Sequence, residues 1–551
     1  MVKNKKSQVE KLNAEIERLK KELKKRKKYG LVWEEKPEEV VEMCKEKLPV
    51  LKEIKNKEII TDKDKPVNLL IEGDNYHSLS VLNYTHPKSI DVIYIDPPYN
   101  TGNKDFIFND KYVDPKDSYR HSKWLSFMEK RLKLAKNLLK DTGVIFISID
   151  DNEVAQLKML MDNPDLFGEN NFVSTLIWEK VRIRKNSALY FTSNHDFILC
   201  VARKKKQNER DTGWTRELID RIENGNYKNP DNDPSGPWIA TSVTANHYYD
   251  ADYKITKPNG IVLSKPKNAS WRYSWETLQQ FIKEGRIIWS KGNSYPKVKR
   301  YLKDVKEGLV PKSIFDFFTF GGNPDGANEL KELFGGDKVF ENPKPTKLIK
   351  ALIKIGTKKK NSVILDFFAG TGTTGHAALS LNKEDNGNRQ FILVTNNENN
   401  ICTNVCYPRI KKVIAGYKNS KSEKVAGLGG NLKYFKTDFV DYDEPTDKNK
   451  IKLTEQATEM LCVKEGTFEK VLDQRNLKIF KNANHYTGII FDQAAIPAFK
   501  KAIKNMKDKF SVYVFSLGDE TFDDEFKDLK QKVQLSPIPE AILRLYRRIF
   551  K

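Results

Sequence analysis

The tetrapeptide Asp96-Pro97-Pro98-Tyr99 has the residue types with the most specific chemistry in this sequence. It follows the apolar run of residues 90–95, which predicts a buried strand that stops at the two prolines. Because proline fixes the backbone and has no N–H, the turn presents a carboxylate, carbonyl oxygens and an aromatic ring. The carboxylate and a carbonyl oxygen can accept both N–H bonds of an exocyclic amine while the tyrosine stacks on its ring. The alternative is an ordinary turn, but the residue types together favour a site for a planar ring that carries an NH2 group.

A second group of residues follows the apolar strand predicted at residues 362–366. Asp366 stands at the tip of this strand, and residues 367–375 form a glycine-rich turn that leads into a helix beginning near Thr373. Such a turn lets a ligand approach the backbone and meet the N–H groups at the start of the helix. This pattern predicts a second ligand site.

Three ligands are compatible with the glycine-rich turn. The spacing Gly-x-Gly-x-x-Gly of residues 370–375 matches the dinucleotide fingerprint, and Glu398 follows at a suitable distance for a ribose. The spacing also matches a phosphate-binding loop, but residues 376–377 are His-Ala where Lys-Ser/Thr is required. A carboxylate at Asp366 suits an ammonium group, which S-adenosylmethionine has and NAD lacks. The turn alone does not decide among these ligands.

Strands and helices alternate around both motifs, which predicts a parallel α/β sheet. The predicted strands are residues 67–74, of which the last form a turn that ends in Asp74, and residues 90–95, 143–150, 362–366 and 391–394, with helices at 78–82 and 119–139. A further strand at residues 197–201 is predicted to be antiparallel and to lie at the edge. The sheet therefore positions the acidic turn and the glycine-rich turn at the ends of its strands.

The composition favours a folded protein with a polyanionic partner. Of 551 residues, 97 are Lys or Arg and 75 are Asp or Glu, which gives a net charge of +22. Nucleic acid is the simplest partner for such a charge. The five cysteines are scattered, which favours the reducing cytoplasm and predicts neither a disulfide framework nor a metal site. The sequence shows no signal peptide and no membrane-spanning segment.

Three other segments differ in composition and residue pattern from the predicted sheet. Residues 1–65 read as helical and charged, and an apolar stripe begins this segment with Val9, Leu12, Ile16, Leu19 and Leu23. The heptad spacing of the stripe fits a dimer contact or a helix packed on its own protein. Residues 205–315 mix Trp, Lys and Arg with turn residues, which suits either a module that binds nucleic acid or an irregular insertion. Residues 430–551 suggest a small α/β domain without recognisable chemistry.

Together the acidic turn and the glycine-rich turn resemble motifs IV and I of the DNA amino-methyltransferases. Their order along the chain is that of the β class, and within it the sequence is most similar to the modification subunits of type III restriction systems. The resemblance covers roughly residues 30–430. Further matching segments are residues 71–74, 100–102, 193–196 and 341–345.

The resemblance implies a role for each motif residue. Asp96, Pro97, Pro98 and Tyr99 would be catalytic. The residues implied to hold the methionine part of S-adenosylmethionine are Asp366, Phe368, Gly370 and Gly372, with Thr373 beside them. Asp74 would contact the adenine of the cofactor, and Lys344 and Pro345 would close over it. The family usually has an acidic residue directly after the second strand, but here Thr395, Asn396 and Asn397 intervene, so Glu398 or Asn396 would reach the ribose.

The implied fold is a circularly permuted, Rossmann-like α/β methyltransferase sheet, divided between residues 66–204 and 316–425. In such a fold the strand ends that bear Asp96 and Asp366 meet at one edge of the sheet. A target-recognition domain would occupy residues 205–315, and the small α/β domain would follow at residues 430–551. The implied activity is metal-free methylation of N6 of adenine in double-stranded DNA after the base is flipped out of the duplex. A homodimer and a separate restriction subunit are the implied partners. An N4-cytosine or RNA methyltransferase, or a DNA-recognition subunit without catalysis, are the alternatives.

Overall fold

The computed structural model describes residues 33–550 except 104, 110, 185, 220–226, 247–249, 305–307, 443–445, 519 and 521. The heptad stripe predicted at the start of the chain lies outside the described residues. The chain forms two compact units, one of Met1–Arg216 with Lys312–Lys551 and one of Glu217–Pro311.

A large mixed sheet organises the first unit. Within the described residues it has ten strands, numbered here in chain order: β1 (Lys47–Glu53), β2 (Val67–Glu72), β3 (Ile90–Ile95), β4 (Leu139–Ile149), β5 (Phe172–Glu179), β6 (His195–Ala202), β7 (Ile314–Phe315), β8 (Val363–Asp366), β9 (Gln390–Thr395) and β10 (Asn431–Asp441). Their order across the sheet is β1-β10-β2-β9-β8-β3-β4-β6-β5-β7. The six strands from β10 to β4 run parallel, whereas β1 and β6 are antiparallel to their neighbours. The predicted parallel α/β sheet is therefore confirmed.

Helices cover both faces of this sheet, which explains why its central strands are apolar without alternation. Ile93 of β3 packs in the core that includes helix Asn75–Thr85, whereas Val92 faces the end of helix Thr346–Gly356. The described α-helices of this unit are Glu39–Glu42, Asn75–Thr85, Arg120–Leu138, Val154–Asp162, Phe317–Phe320, Asn323–Leu333, Thr346–Gly356, Thr373–Asp385, Tyr407–Ala415, Asp447–Gln456, Thr458–Glu465, Ile496–Ile503 and Glu540–Ile549. In the described ranges no helix combines the length and the apolar character needed to cross a bilayer.

Two predicted boundaries and one predicted edge are wrong. The segment 1–65 is not wholly helical, because β1 pairs along its whole length with β10. The C-terminal domain does not begin at residue 430, because β10 itself belongs to the large sheet and pairs with β2. Strand β6 is antiparallel as predicted, but it lies between β4 and β5 rather than at the edge.

The second unit is smaller than the segment 205–315 predicted for it. Trp214 pairs with Lys205 and β7 pairs with β5, so both ends of that segment belong to the first unit. The second unit has a three-stranded antiparallel sheet of Ile287–Ile288, Lys297–Tyr301 and Trp238–Ser242, short strand pairs, and helix Trp275–Lys283. Its core is built around the fully buried Trp271.

The C-terminal region adds a second sheet to the first unit. Its strands, in spatial order, are Glu469–Gln474, Leu477–Lys481, His485–Ile490, Lys509–Phe515 and Val533–Ile538. Helix Glu540–Ile549 returns to the large sheet, where the buried Tyr546 hydroxyl donates a 2.6 Å hydrogen bond to the carbonyl of Pro49. The small α/β fold predicted here is present, but it shares its hydrophobic core with the large sheet.

Candidate active site

The two motif strands are neighbours in the large sheet. Ile364 and Leu365 of β8 pair in parallel with Val92 and Ile93 of β3. Parallel neighbours end at the same edge of a sheet, so the acidic turn after β3 and the glycine-rich turn after β8 meet there. The predicted adjacency of the two motifs, despite their separation along the chain, is confirmed.

A cavity of about 620 Å³ opens at this edge. Its volume is within the range of about 300–1,000 Å³ that is usual for small-molecule and cofactor sites. The described residues that line it are Glu38, Glu39, Val40, Asp74, Asn75, Asp96, Pro97, Pro98, Asp105, Phe106, Ile107, Phe108, Asn109, Tyr112, Phe127, Arg131, Phe367, Phe368, Gly370, Thr395, Asn396, Glu398 and Ile401. The cavity therefore joins the acidic turn to the glycine-rich turn in one space.

The carboxylate of Asp96 is the polar centre of the acidic turn. It accepts hydrogen bonds of 2.8 and 2.7 Å from the Lys344 ammonium and one of 2.9 Å from the Tyr99 hydroxyl. The Tyr99 oxygen also lies 3.0 Å from the same ammonium. Lys344 thus fixes the acidic turn, in addition to the role toward the cofactor that the family resemblance implies.

Two further contacts make the acidic turn rigid. The indole N–H of the buried Trp124 donates a 2.7 Å hydrogen bond to the carbonyl oxygen of Pro98. Asn100, which adopts a left-handed conformation at φ +58°, donates to the buried Glu153 carboxyl group at 2.5 Å. His121 Nδ1 lies 2.7 Å from the same Glu153 oxygen. Two residues of helix Arg120–Leu138 and Glu153, which directly precedes helix Val154–Asp162, therefore hold the turn from behind.

The glycine-rich turn needs glycine at two positions. Gly370 and Gly372 have φ values of +48° and +78°, which favour glycine because it lacks a Cβ. A Cβ on Gly372 would also lie 3.0 Å from Cys406 Sγ. Gly370 lines the cavity, so the backbone can be approached closely there, as the sequence pattern predicts.

The Asp366 carboxyl group lies behind this turn. It is 3% exposed, accepts hydrogen bonds from the Phe368 N–H (3.1 Å) and the Thr374 hydroxyl (2.5 Å), and does not line the cavity among the described residues. Burial raises its pKa to about 7. The structure therefore shows Asp366 shaping the turn, and its direct contact with an ammonium group stays a prediction.

The buried guanidinium of Arg409 connects the glycine-rich turn to Lys344. It donates hydrogen bonds to the hydroxyls of Thr371 (3.0 Å) and Thr373 (2.8 Å), and Thr373 in turn donates to the carbonyl of Lys344 at 3.3 Å. Burial lowers the pKa of Arg409 to about 10, partly offset by Glu329. These hydrogen bonds connect the glycine-rich turn, through Thr373 and Lys344, to the acidic turn.

The charge of the cavity distinguishes between the ligands that the glycine-rich turn allows. Six carboxylates and a single guanidinium lie among its described lining residues. That guanidinium, Arg131, is already paired with Glu38 at 2.6 and 3.0 Å. A diphosphate would meet uncompensated negative charge here, whereas a ligand with an ammonium and a sulfonium is attracted. The lining therefore fits S-adenosylmethionine better than a dinucleotide.

The predicted site residues fall into two groups. Those on the cavity surface are Asp74, Asp96, Pro97, Pro98, Phe368, Gly370 and Glu398. Those that are not among its described lining residues are Tyr99, Lys344, Pro345, Asp366, Gly372 and Thr373. The contacts of either group with a cofactor or a base stay predictions.

The sequence did not predict that Arg131 and Glu38 line the cavity as an ion pair. Arg131 is fully buried; its Nε donates to Asn75, and one terminal nitrogen lies 3.5 Å from Asp74. The signal was a charged residue on the apolar face of helix Arg120–Leu138, since a buried cation requires a carboxylate partner. The identity of that partner had no signal, because Glu38 precedes every recognised motif in the chain.

Known proteins resemble this chain over the same region. A family model described as DNA methylase matches residues 90–405. The type III restriction-modification enzyme StyLTI Mod subunit of Salmonella typhimurium is 37% identical in an alignment of 354 positions that covers 60% of this chain and 52% of that protein. The EcoPI Mod subunit of Escherichia phage P1 is 34% identical in an alignment of 385 positions that covers 60% of this chain and 58% of that subunit. Type II methyltransferase M.KpnI of Klebsiella pneumoniae is 32% identical in an alignment of 384 positions that covers 67% of this chain and 90% of M.KpnI. The chain spans little more than half the length of the two Mod subunits.

Proposed function

Because this chain belongs to the DNA methylase family, we propose that it transfers a methyl group from S-adenosylmethionine to N6 of adenine at a specific site in double-stranded DNA. The observation that carries the proposal is the single acidic cavity that joins Asp96 to the glycine-rich turn at Gly370. The relatives, which are Mod subunits and a type II methyltransferase by name, support the same reaction class.

The acidic turn accounts for the recognition of an amine. Asp96 Oδ1 accepts from both Lys344 and Tyr99, whereas Oδ2 accepts only from Lys344 among the described residues, so Oδ2 can still accept an amine N–H. The Pro98 carbonyl is engaged by Trp124, and we assign the second N–H to the carbonyl of Pro97, which lines the cavity. Two such bonds favour a tetrahedral nitrogen whose lone pair can attack.

The remaining groups hold the reactants in place. Bound S-adenosylmethionine would supply an electrophilic methyl group on a sulfonium. Phe368 and Gly370 would hold its methionine part, Asp74 its adenine, and Glu398 or Asn396 its ribose, since all of these residues line the cavity. The Tyr99 ring would stack on the target base, which must leave the duplex to reach Asp96. Positioning and charge thus provide the catalysis that this chain contributes.

We also propose the partners and the location. The relatives named Mod subunits are parts of restriction-modification enzymes, which supports a separate restriction subunit as a partner of this chain. The apolar stripe from Val9 to Leu23 supports a homodimer. Light scattering of the full chain measures the particle mass and hence the oligomeric state. The described cysteines are free and buried, which supports a cytoplasmic location.

A transfer assay with labelled S-adenosylmethionine and genomic DNA tests the function, and mass spectrometry of the digested DNA identifies the modified base. We expect N6-methyladenine, and a loss of about 10²- to 10³-fold in the rate of transfer for Asp96→Ala with retained cofactor and DNA binding. Glu469→Ala, which removes an exposed carboxylate on a strand outside the cavity, is the control. N4-methylcytosine would establish the other substrate of this chemistry. Near-normal transfer by Asp96→Ala, or none by the wild type, would refute the proposal.

A further inference from the structure

The loop between β5 and β6 has the most exposed apolar side chains in the described part of the chain. Ile183, Leu189, Tyr190 and Phe191 are 78%, 85%, 86% and 96% exposed, and no other large apolar side chain among the described residues exceeds 66%. Soluble proteins rarely expose such a cluster unless it contacts a partner. We call residues 182–191, apart from residue 185, the exposed loop.

The exposed loop lies at the same edge of the sheet as the acidic turn. Strand β4 is parallel to β3 and antiparallel to β6, which is antiparallel to β5, so β5 and β3 end at the same edge. The base of the loop is closed by hydrogen bonds from the backbone N–H groups of Lys180 and Val181 to the Asn194 carbonyl. The neighbouring Trp178 ring lies 5.7 Å from the Lys344 ammonium, which is bonded to Asp96. The loop therefore begins beside the catalytic carboxylate.

The charges around the exposed loop fit a polyanion. Residues 180–195 include four Lys or Arg and no Asp or Glu. The exposed Arg182 stacks its guanidinium 4.3 Å above the ring of Phe318, itself 66% exposed. Basic side chains among exposed aromatic rings suit contact with phosphates and with unstacked bases.

We propose that the exposed loop inserts Phe191 or Tyr190 into the DNA duplex and fills the space that the target base leaves. The proposal rests on the proposed function. An apolar ring can replace the stacking that the duplex loses when the target base leaves it. The loop would therefore stabilise the duplex with the base flipped out, whereas other residues contact the base in the active site. DNA is favoured over a protein partner because the loop carries only positive charge and adjoins the base-binding turn.

The test compares two duplexes that contain the recognition site, which is first read from the modified bases of genomic DNA treated with the wild-type chain. In one duplex the target adenine is paired, and in the other an abasic position stands opposite it. We expect Phe191→Ala to slow single-turnover methyl transfer about tenfold on the paired duplex, equal to about 1.4 kcal/mol. On the abasic duplex the loss should be less than about twofold, because the base is already unpaired.

Phe191→Trp, which keeps a stacking ring, should restore the rate, and Leu517→Ala, which removes an exposed apolar side chain in the C-terminal region, is the control. Wild-type rates for Phe191→Ala on both duplexes, or equal losses on both, would overturn the inference. A lower particle mass for Phe191→Ala in light scattering would assign the loop to a protein contact and would also overturn it. No transfer by the wild type would refute the proposed function itself, a result distinct from these.

Discussion

Glu153 is a buried carboxyl group that supports the acidic turn without lining the cavity. Its Oε1 accepts a hydrogen bond from the Asn100 side chain and lies 2.7 Å from His121 Nδ1, whereas its Oε2 has no hydrogen-bond partner among the described residues. Burial raises the pKa of Glu153 to about 8, and burial together with Arg120 lowers the pKa of His121. Near neutral pH the group is therefore mainly protonated and supports the turn without a charge.

The raised pKa of Glu153 predicts how stability depends on pH. Between its ordinary value of 4.5 and about 8 the unfolded chain ionises this group while the folded chain keeps it protonated, so rising pH destabilises the wild type. Glu153→Gln cannot ionise. We expect its free energy of unfolding, relative to the wild type, to increase with pH by up to about 1.4 kcal/mol per unit in this window. Urea unfolding from pH 5 to 9 measures this, with Glu469→Gln on an exposed strand as control; parallel curves would contradict it.

Two variants of Asp366 can separate its effect on the shape of the glycine-rich turn from the effect of its negative charge on the cofactor. Because its oxygens bond the Phe368 N–H and the Thr374 hydroxyl, Asp366→Ala should distort the glycine-rich turn and weaken cofactor binding about tenfold or more. Asp366→Asn has similar size and keeps a carbonyl acceptor, so we expect binding within about threefold of the wild type. Calorimetry with S-adenosylmethionine measures both. An Asn variant as weak as the Ala variant would show that the negative charge itself meets the ammonium group.

The elements show which parts of the site a sequence can predict. β3 and β8 were predictable because each is a short apolar run that ends at a distinctive turn. Their adjacency followed from the family resemblance, and β8 pairs with β3 as expected. The flanking strands β1 and β10 were not recognised, because charged residues bound the short apolar run of β1 and the buried Lys433 interrupts that of β10. Contacts such as that between Lys344 and Asp96 depend on tertiary packing and left no local pattern.

The second unit provides the element for an exchange experiment. Residues 217–311 form a separate compact unit with its own core, so its replacement by the corresponding unit of a relative should transfer that relative's recognition sequence. Sequencing of modified bases identifies the methylated site. An exchange of residues 205–315 is the informative comparison. It also replaces Trp214, whose indole N–H donates a hydrogen bond to the carbonyl of Gly356 in the first unit, so we expect this wider exchange to lower the stability of the protein. An unchanged methylated sequence after the narrower exchange would exclude this unit as the reader of DNA.

At the scale of the whole molecule, the C-terminal helix ties the second sheet to the first. The Tyr546 hydroxyl reaches the carbonyl of Pro49 in β1, and both groups are buried. Tyr546→Phe leaves that carbonyl without its donor and should lower the free energy of unfolding by about 1–3 kcal/mol. Chemical denaturation measures the loss, and Tyr190→Phe, at an exposed tyrosine, should change nothing. Equal stability of the two variants would show that this contact is dispensable.

The permuted order of the strands has a consequence for synthesis on the ribosome. β3 ends at Ile95, but its neighbour β8 begins only at Val363. At a translation rate of about 5–20 residues per second, β3 waits on the order of ten to fifty seconds with one edge unpaired. An unpaired apolar strand edge is a template for association with other chains. Nascent chains that stop before β8 therefore expose the strand that leads to Asp96, and the complete chain covers it only late in translation.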